Sequence, residues 1–205
     1  INHESVYTNL LFNSIIGNTK SKFKAGINFS YDRYKETVDS FYFNRDDHSV
    51  GSFFEYSYDS MDNFTLLGGV RFDVHNRLGT FITPRLNLRY LPQKNTIIRF
   101  SIGSGRKAAN IFAENQTLFG TNRRLNIVDN GGLIYGLNPE RAWNYGLSLS
   151  QIFNLFGGGA NITADYYITS FTDQVVVDWE TEGEISFYNL KGLSRANSFQ
   201  ISFDY

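Results

Sequence analysis

The stretch Pro84–Phe112, PRLNLRYLPQKNTIIRFSIGSGRKAANIF, contains two alternating runs separated by a turn at Pro92–Asn95. In the first run Leu86, Leu88 and Tyr90 alternate with Arg85, Asn87 and Arg89, and in the second Ile98, Phe100 and Ile102 flank Arg99 and Ser101. A period of two is that of a β-strand, whose successive side chains point to opposite faces. The pair therefore has one apolar face and one that keeps presenting arginine. In a soluble sandwich the apolar face packs inward. In a membrane barrel it meets lipid and the polar face lines the interior. Alternation by itself does not choose between the two.

The same signal runs from end to end. It is carried by Phe23 to Tyr31, Phe54 to Tyr58, Val70 to Val74, Trp143 to Leu149, Ile162 to Ile168 and Phe199 to Tyr205. With the less regular runs Val6 to Ile16 and Ile185 to Leu190, the sequence predicts about ten strands, most near the length a bilayer requires. Short links are expected at Gly17 to Ser21, Asp59 to Asn63, Pro92 to Asn95, Gly157 to Gly159 and Lys191 to Ala196. Longer ones are expected at Lys35 to Ser49, Asn76 to Thr83, Arg106 to Arg141 and Asp178 to Glu184. Alternation of short and long links is the mark of an up-and-down outer-membrane barrel, whereas a sandwich has no reason to sort its loops by parity. Tyr31, Tyr34, Tyr58, Tyr90 and Trp143 near strand ends are expected to form interfacial girdles.

Composition agrees. The 205 residues include 19 Phe, 13 Tyr and 18 Gly but 3 Pro and no Cys, a β-rich usage with glycine available for turns. A formal net charge of -1 gives no electrostatic footprint for nucleic acid. The lack of cysteine removes disulfides, thiolate metal sites and cysteine nucleophiles together. No run of about 18 apolar residues occurs, so no helical span is expected, while barrel strands need only about 9 to 11 residues. The start, INHESVYTNLLF, has neither a basic and apolar leader nor an initiating Met and reads as mature or truncated.

Read as one block, PRLNLRYLP, IIRFSIGSGRKAANIFAEN, GLNPERAWNYGLSLSQ and ADYYITSFTDQVVVD resemble the barrel of a TonB-dependent outer-membrane receptor of the Bacteroidetes type. The resemblance rests on Pro84 and Arg85, then Gly105 and Arg106 with Asn110. After a long link it continues with Asn138, Pro139 and Glu140, then Tyr166 and Tyr167, and Gln174 to Val176. It covers Pro84 to Tyr188 and implies an all-β, antiparallel up-and-down transmembrane barrel of about 22 strands with a plugged lumen. Residues 1–205 would form part of that barrel domain, about ten of its strands, without the plug and with further strands expected after Tyr205. It also implies TonB-energised uptake of a scarce nutrient such as a siderophore, haem, cobalamin or an oligosaccharide. The implied partners are TonB, through a segment outside this chain, and the plug. A surface lipoprotein, membrane lipid and lipopolysaccharide are further implied contacts. The competing readings are a passive porin, an outer-membrane enzyme acting at the rim and a soluble carbohydrate-binding sandwich.

No chemistry-bearing cluster stands out. His3, His48 and His75 have no metal-ligand spacing, and Asp46, Asp47 and His48 read as a solvated loop. Gly103–Lys107, GSGRK, lacks the full phosphate-loop pattern, and Glu180, Glu182 and Glu184 read as solubility. No catalytic residue, metal ligand or cofactor is therefore expected. The basic set differs because its members share one face. Arg71, Asp73, Arg85, Arg89 and Arg99 fall on neighbouring strands, and an arginine facing lipid at mid-membrane costs about 2 to 4 kcal/mol. They are expected to face the lumen and to meet acidic groups of a plug. Arg106, Asn110, Phe112, Asn115, Arg123, Arg124 and Tyr135, in the long link, are the candidates for ligand contact.

Overall fold

A computed structural model describes residues 2–38 and 41–205. Nine strands form one antiparallel sheet in the order β1-β2-β3-β4-β5-β6-β8-β9-β12. Their ranges are β1 Asn2–Ile15, β2 Ser21–Val38, β3 Phe41–Asp59, β4 Phe64–His75, β5 Gly79–Gln93, β6 Thr96–Lys107, β8 Glu140–Leu155, β9 Gly158–Thr172 and β12 Leu193–Asp204. Neighbours in sequence are neighbours in the sheet, the up-and-down order that short links dictate. Three further strands, β7 Arg124–Ile127, β10 Val175–Asp178 and β11 Glu184–Asn189, form a separate sheet in which β7 runs parallel to β11.

Register turns the alternation into two surfaces. One row of directly paired residues runs Tyr58, Leu66, Leu88, Phe100, Leu147, Tyr166 and Phe199 across seven strands. The adjacent row, one residue along each strand, runs Thr65, Arg89, Arg99, Ser148, Asp165 and Gln200. The apolar surface is left uncovered, with Ile82, Leu147 and Phe199 at 59, 53 and 67% exposure. Conversely, the buried polar residues Asn28, Glu55, Asp73, Ser148 and Ser150 all belong to the other surface. A soluble sheet buries its apolar face, so this inverted arrangement fits a wall with lipid outside and a polar interior. Among the described residues no helix is long and apolar enough to cross a membrane.

Apart from Ala160 on β9, the buried apolar side chains lie elsewhere. Ala109, Ile111, Phe112, Leu125, Leu137, Ile185 and Phe187 form one cluster, built from the links after β6 and β9. Val38 at the end of β2 and Phe43 on β3 pack against it. These links contain the short helix α1 Ile111–Glu114, a 3-10 turn at Gln116–Phe119 and the three-stranded sheet. They form a folded cap with its own core.

Several expectations change. Ile185 to Leu190 is not a barrel strand: its alternation buries Ile185 and Phe187 in the cap. The sheet thus has nine strands, and two expected long links shrink. Much of Lys35 to Ser49 is strand, paired from Lys35↔Asn44 to Val38↔Phe41, while residues 39 and 40 lie outside the described residues. Asn76 to Thr83 is a turn at 76–78 followed by β5. Asn76 closes it, with its side-chain oxygen accepting from the His48 amide at 3.0 Å and its own amide donating to the His48 carbonyl at 3.1 Å. Strands of 18 and 19 residues, β2 and β3, exceed the bilayer requirement and project beyond it. Polar residues on both faces of that projection made it read as loop. Tyr34 is not an outward girdle residue, because its register partner is Arg45 and its ring lies 4.0 Å from that guanidinium on the inner face.

The face assignment sets a test. Phe72→Lys, on the outward row beside Ile82, should lower folding stability by about 2 to 4 kcal/mol if it sits at mid-membrane, whereas Asn87→Lys on the inner row should change it by less than about 1 kcal/mol. Denaturant titration of the full-length protein in phospholipid vesicles reads both.

Candidate functional site

The inner surface carries a ladder of charge. Arg71 forks onto Asp73, two residues along β4, with Nη2 to Oδ1 at 2.6 Å and Nε to Oδ2 at 2.7 Å, and Nη2 also donates to Asn28 Oδ1 at 2.8 Å. Gly51 lies between these strands, and a Cβ there would stand 2.3 Å from Asp73 Oδ1 and 2.6 Å from Arg71 Nη2. The missing side chain is what admits the fork. Toward the short-link end, Arg85 pairs with Glu55, and Lys24 Nζ stands 3.9 Å from the same carboxylate.

Arg89 and Arg99 are arranged differently. They face each other directly across β5 and β6, an arrangement of like charges that is unfavourable by a few tenths to about 1 kcal/mol. Among the described residues neither enters an ion pair. The next acids on their row are Asp165, separated from Arg99 by Ser148, and Asp59, separated from Arg89 by Thr65, each about 10 Å away across two strand spacings. Both arginines, with Asn87, Ser101, Asp165 and Tyr167, line a concavity of about 520 Å³.

At the long-link end the inner face meets the cap through a buried polar seam. Glu36 and Arg45 are 1% and 7% exposed. Arg45 Nε donates to Asp47 Oδ2 at 3.0 Å, and Arg77 Nε donates to Asp47 Oδ1 at 2.8 Å. The Arg45 guanidinium lies between the rings of Tyr34 and Tyr135, at 4.0 and 4.9 Å. From the cap, the Tyr135 hydroxyl donates to Glu36, the Asn110 side-chain oxygen accepts from Arg45, and the Leu133 carbonyl accepts from Arg77 at 3.4 Å. Burial, followed by the bond to Glu36, holds the Tyr135 phenol well above its ordinary range, so it remains a donor. The reading of Asp46, Asp47 and His48 as a solvated loop is thereby corrected: they lie on β3, and Asp47 is buried with two guanidiniums.

The two links that build the cap are clasped together. Asn189, 6% exposed, accepts from the Asn138 amide at 2.8 Å and donates to the carbonyls of Asn138 and Asp173 at 3.0 and 2.7 Å. The Glu140 carboxylate also accepts from the Val175 amide at 2.8 Å.

Residues 3–205 match the family model described as TonB dependent receptor-like, beta-barrel. The chain belongs to the TonB-dependent receptor family. Its fold is shared with the siderophore receptor PirA from Pseudomonas aeruginosa, at TM-score 0.70 and 15% identity over 97% of this chain and 36% of that one. It is also shared with PirA from Acinetobacter baumannii, at 0.72 and 13% over 98% and 34%, and with the FrpB iron transporter from Neisseria meningitidis, at 0.66 and 17% over 99% and 33%. The chain thus spans about a third of the length of these solved structures. No curated protein matches it in sequence.

Within this TonB-dependent receptor barrel the long-link candidates take separate places. Phe112 is fully buried among Phe43, Phe119 and Tyr135, with ring centroids 5.1 to 5.3 Å apart. Asn110 and Tyr135 belong to the seam, and Asn115 closes α1 by donating to the Ile111 carbonyl at 2.8 Å. Arg106 lies with its guanidinium 5.3 Å from the Phe81 ring centroid. Arg123 donates to the Trp179 carbonyl at 2.9 Å, while Arg124 on β7 is exposed. Among the described residues no three His, Asp or Glu side chains converge on a cation position. His75 Nδ1 accepts from the Arg77 amide at 3.1 Å, and Glu184 accepts from Asn126 and Ser186 at 2.8 and 2.6 Å. Glu36, Arg45, Arg77 and Asn189 carried no motif, and the single hint was the i, i+2 spacing of Arg45 and Asp47.

Asn189→Ala removes three bonds at a buried position and should weaken the clasp by about 1 to 3 kcal/mol. Limited proteolysis of the full-length protein should then cut residues 108–139 and 173–192 at least about fivefold faster, with the β1–β6 region unchanged.

Proposed function

We propose that this chain is part of the barrel domain of an outer-membrane receptor that takes up a scarce nutrient by TonB-energised transport. Residues 1–205 supply a lipid-facing wall whose inner surface holds a plug, and the mouth above it carries the folded links that meet ligand. The nutrient class spans ferric siderophores, haem, cobalamin and oligosaccharides. The solved structures of like fold include siderophore receptors and an iron transporter, which favours an iron-bearing ligand within that range. TonB would act through a segment outside this chain. A surface lipoprotein and lipopolysaccharide would be contacts of the outer rim.

The observation that carries this reading is the Arg89–Arg99 pair. Two guanidiniums held face to face on the inner wall, with their nearest row carboxylate about two strand spacings away, are stabilised by an acidic group reaching them from the lumen. Arg71 with Asp73 and Arg85 with Glu55, by contrast, are matched within the wall. The unmatched pair is therefore where a plug carboxylate fits, with a place on the ligand path as the second role. Exposed Arg123 and Arg124 in the cap are the residues placed for ligand contact, whereas Phe112 and Tyr135 act on the ligand site by packing the cap.

The test compares the full-length protein with an Arg89→Glu, Arg99→Glu double variant in tonB-positive and tonB-deficient cells. Uptake of labelled ligand should require TonB and should fall about tenfold or more in the variant, as expected for loss of charge-assisted bonds, while single-channel conductance in planar bilayers rises. TonB-independent uptake with a large conductance in the unaltered protein would make it a porin instead. Normal uptake and conductance in the variant would remove both roles assigned to these arginines.

A further inference from the structure

At its short-link end β2 repeats lysine at every second residue, Lys20, Lys22 and Lys24. Register sets Lys22 on the inner surface between Ile15 of β1 and Ser57 of β3, and Lys24 between Asn13 and Glu55. Neither neighbour on β1 is acidic. On β3 Glu55 is held by Arg85, with the Lys24 ammonium 3.9 Å from it, so two cations share one carboxylate. Asp59, one row lower, accepts from the Met61 amide at 2.9 Å. Among the described residues Lys22 enters no ion pair. Positive charge is therefore left over along this part of β2.

One row above the lysines the inner surface turns apolar. Leu11, Gly26 and Phe53 are directly paired across β1, β2 and β3. A Cβ at Gly26 would lie 2.7 Å from the Phe53 ring, so the glycine lets that ring lean over β2. Leu11 is 50% exposed and Ile15, beside Lys22, 51%. These side chains point away from lipid, and covering them with another apolar group is favourable. Asn13, Ile15, Lys22, Lys24, Glu55 and Ser57 line a concavity of about 510 Å³ below this row.

The two features define one partner. Alternate residues of a strand lie about 7 Å apart, so an extended segment laid along β2 brings every second side chain to Lys22, Lys24 and then Gly26. A small anion would satisfy the ammoniums and leave Leu11 and Phe53 in water. An apolar segment would cover the upper row and strand the lysine charge.

We propose that this surface docks an extended segment of the plug in which two acidic residues, two apart, meet Lys22 and Lys24, and an apolar residue two further on rests on Leu11 and Phe53. The place is separate from the Arg89–Arg99 pair, for β2 and β5 are three strand spacings apart, about 14 Å. The inference rests on the reading that the lumen holds a plug, and it specifies the plug's chemistry at this point.

The test uses the full-length protein in phospholipid vesicles and the amines themselves. Lys94, exposed in the short link after β5 at the same end, is the reference. Acetic anhydride should modify Lys22 and Lys24 about tenfold more slowly than Lys94, as expected for ammoniums engaged by carboxylates. A water-soluble carbodiimide then activates carboxylates as O-acylisoureas. A lysine nitrogen in contact displaces the urea and forms an amide. Mass spectrometry should find Lys22 or Lys24 joined to an Asp or Glu outside residues 1–205, in a segment with a second acid two residues away and an apolar residue two beyond. Leu11→Ser should lower that yield about threefold or more, because the apolar contact is lost. Lysines that react as fast as Lys94, links confined to Glu55 and Asp59 of the wall, a link to a different protein, or a yield indifferent to Leu11→Ser would each overturn the dock. Conductance of the unaltered protein in planar bilayers separates the two failures. A closed protein with fast-reacting lysines overturns this dock alone, whereas a large open conductance removes the plug reading with it.

Discussion

The structure depends on one constraint: a sheet that faces hydrocarbon must satisfy its backbone within itself and turn its apolar side chains outward. Antiparallel pairing meets the first demand through continuous ladders such as β2–β3, and strict alternation meets the second. Together they fix the inner surface before any functional residue is chosen, since every position one step from an outward Leu or Phe must face the lumen. Arg89 sits one residue from Leu88 and Arg99 one residue from Phe100. Their inward direction follows from the membrane, and their unmatched charge follows from the rows that register creates.

Inside the wall, two ways of handling charge coexist. Arg71, Asp73, Arg85 and Glu55 are matched along and across strands, with Gly51 giving up a side chain to make room. This local matching keeps the wall stable without help from another body. Among the described residues Arg89 and Arg99 lack such a match, whereas the seam at Glu36 and Arg45 is matched and buried. The first is where the proposed lumenal carboxylate would reach the wall, and the second is where the cap meets it. The cap differs in kind from the wall, for it is an ordinary apolar core built around Phe112 and Phe187.

The strands that face lipid were legible because lipid imposes a strong period of two and tolerates few exceptions. Where the strands leave the bilayer that pressure ends. Residues 42–48 carry polar groups on both faces, so β3 could not be told from a loop; Arg45 is covered by a cap distant in sequence, and Asp47 is held by the guanidiniums of Arg45 and Arg77. Ile185 to Leu190 failed for the reverse reason: alternation reports a half-buried strand but not what covers it, and here the cover is Leu125 and Phe112. Tyr34 shows the limit of counting aromatics near strand ends, because register alone decides whether such a ring faces lipid or a guanidinium. Of the site, the arginine rows could be read from spacing, whereas Asn189 could not. A single asparagine becomes a clasp when two links of the chain meet, and no local pattern announces it.

The most direct measurement is a nitroxide scan along β5 of the full-length protein in lipid vesicles, one label at a time at residues 85 to 90. Collisions with dissolved oxygen, which partitions into lipid, are compared with those from a water-soluble nickel chelate. Oxygen maxima are expected at 86, 88 and 90, with chelate contact, where any reaches the lumen, confined to 85, 87 and 89. Uniform access along the strand, or the opposite phase, would contradict the assignment of lipid and lumen faces on which the wall, the arginine pair and the cap seam all rest.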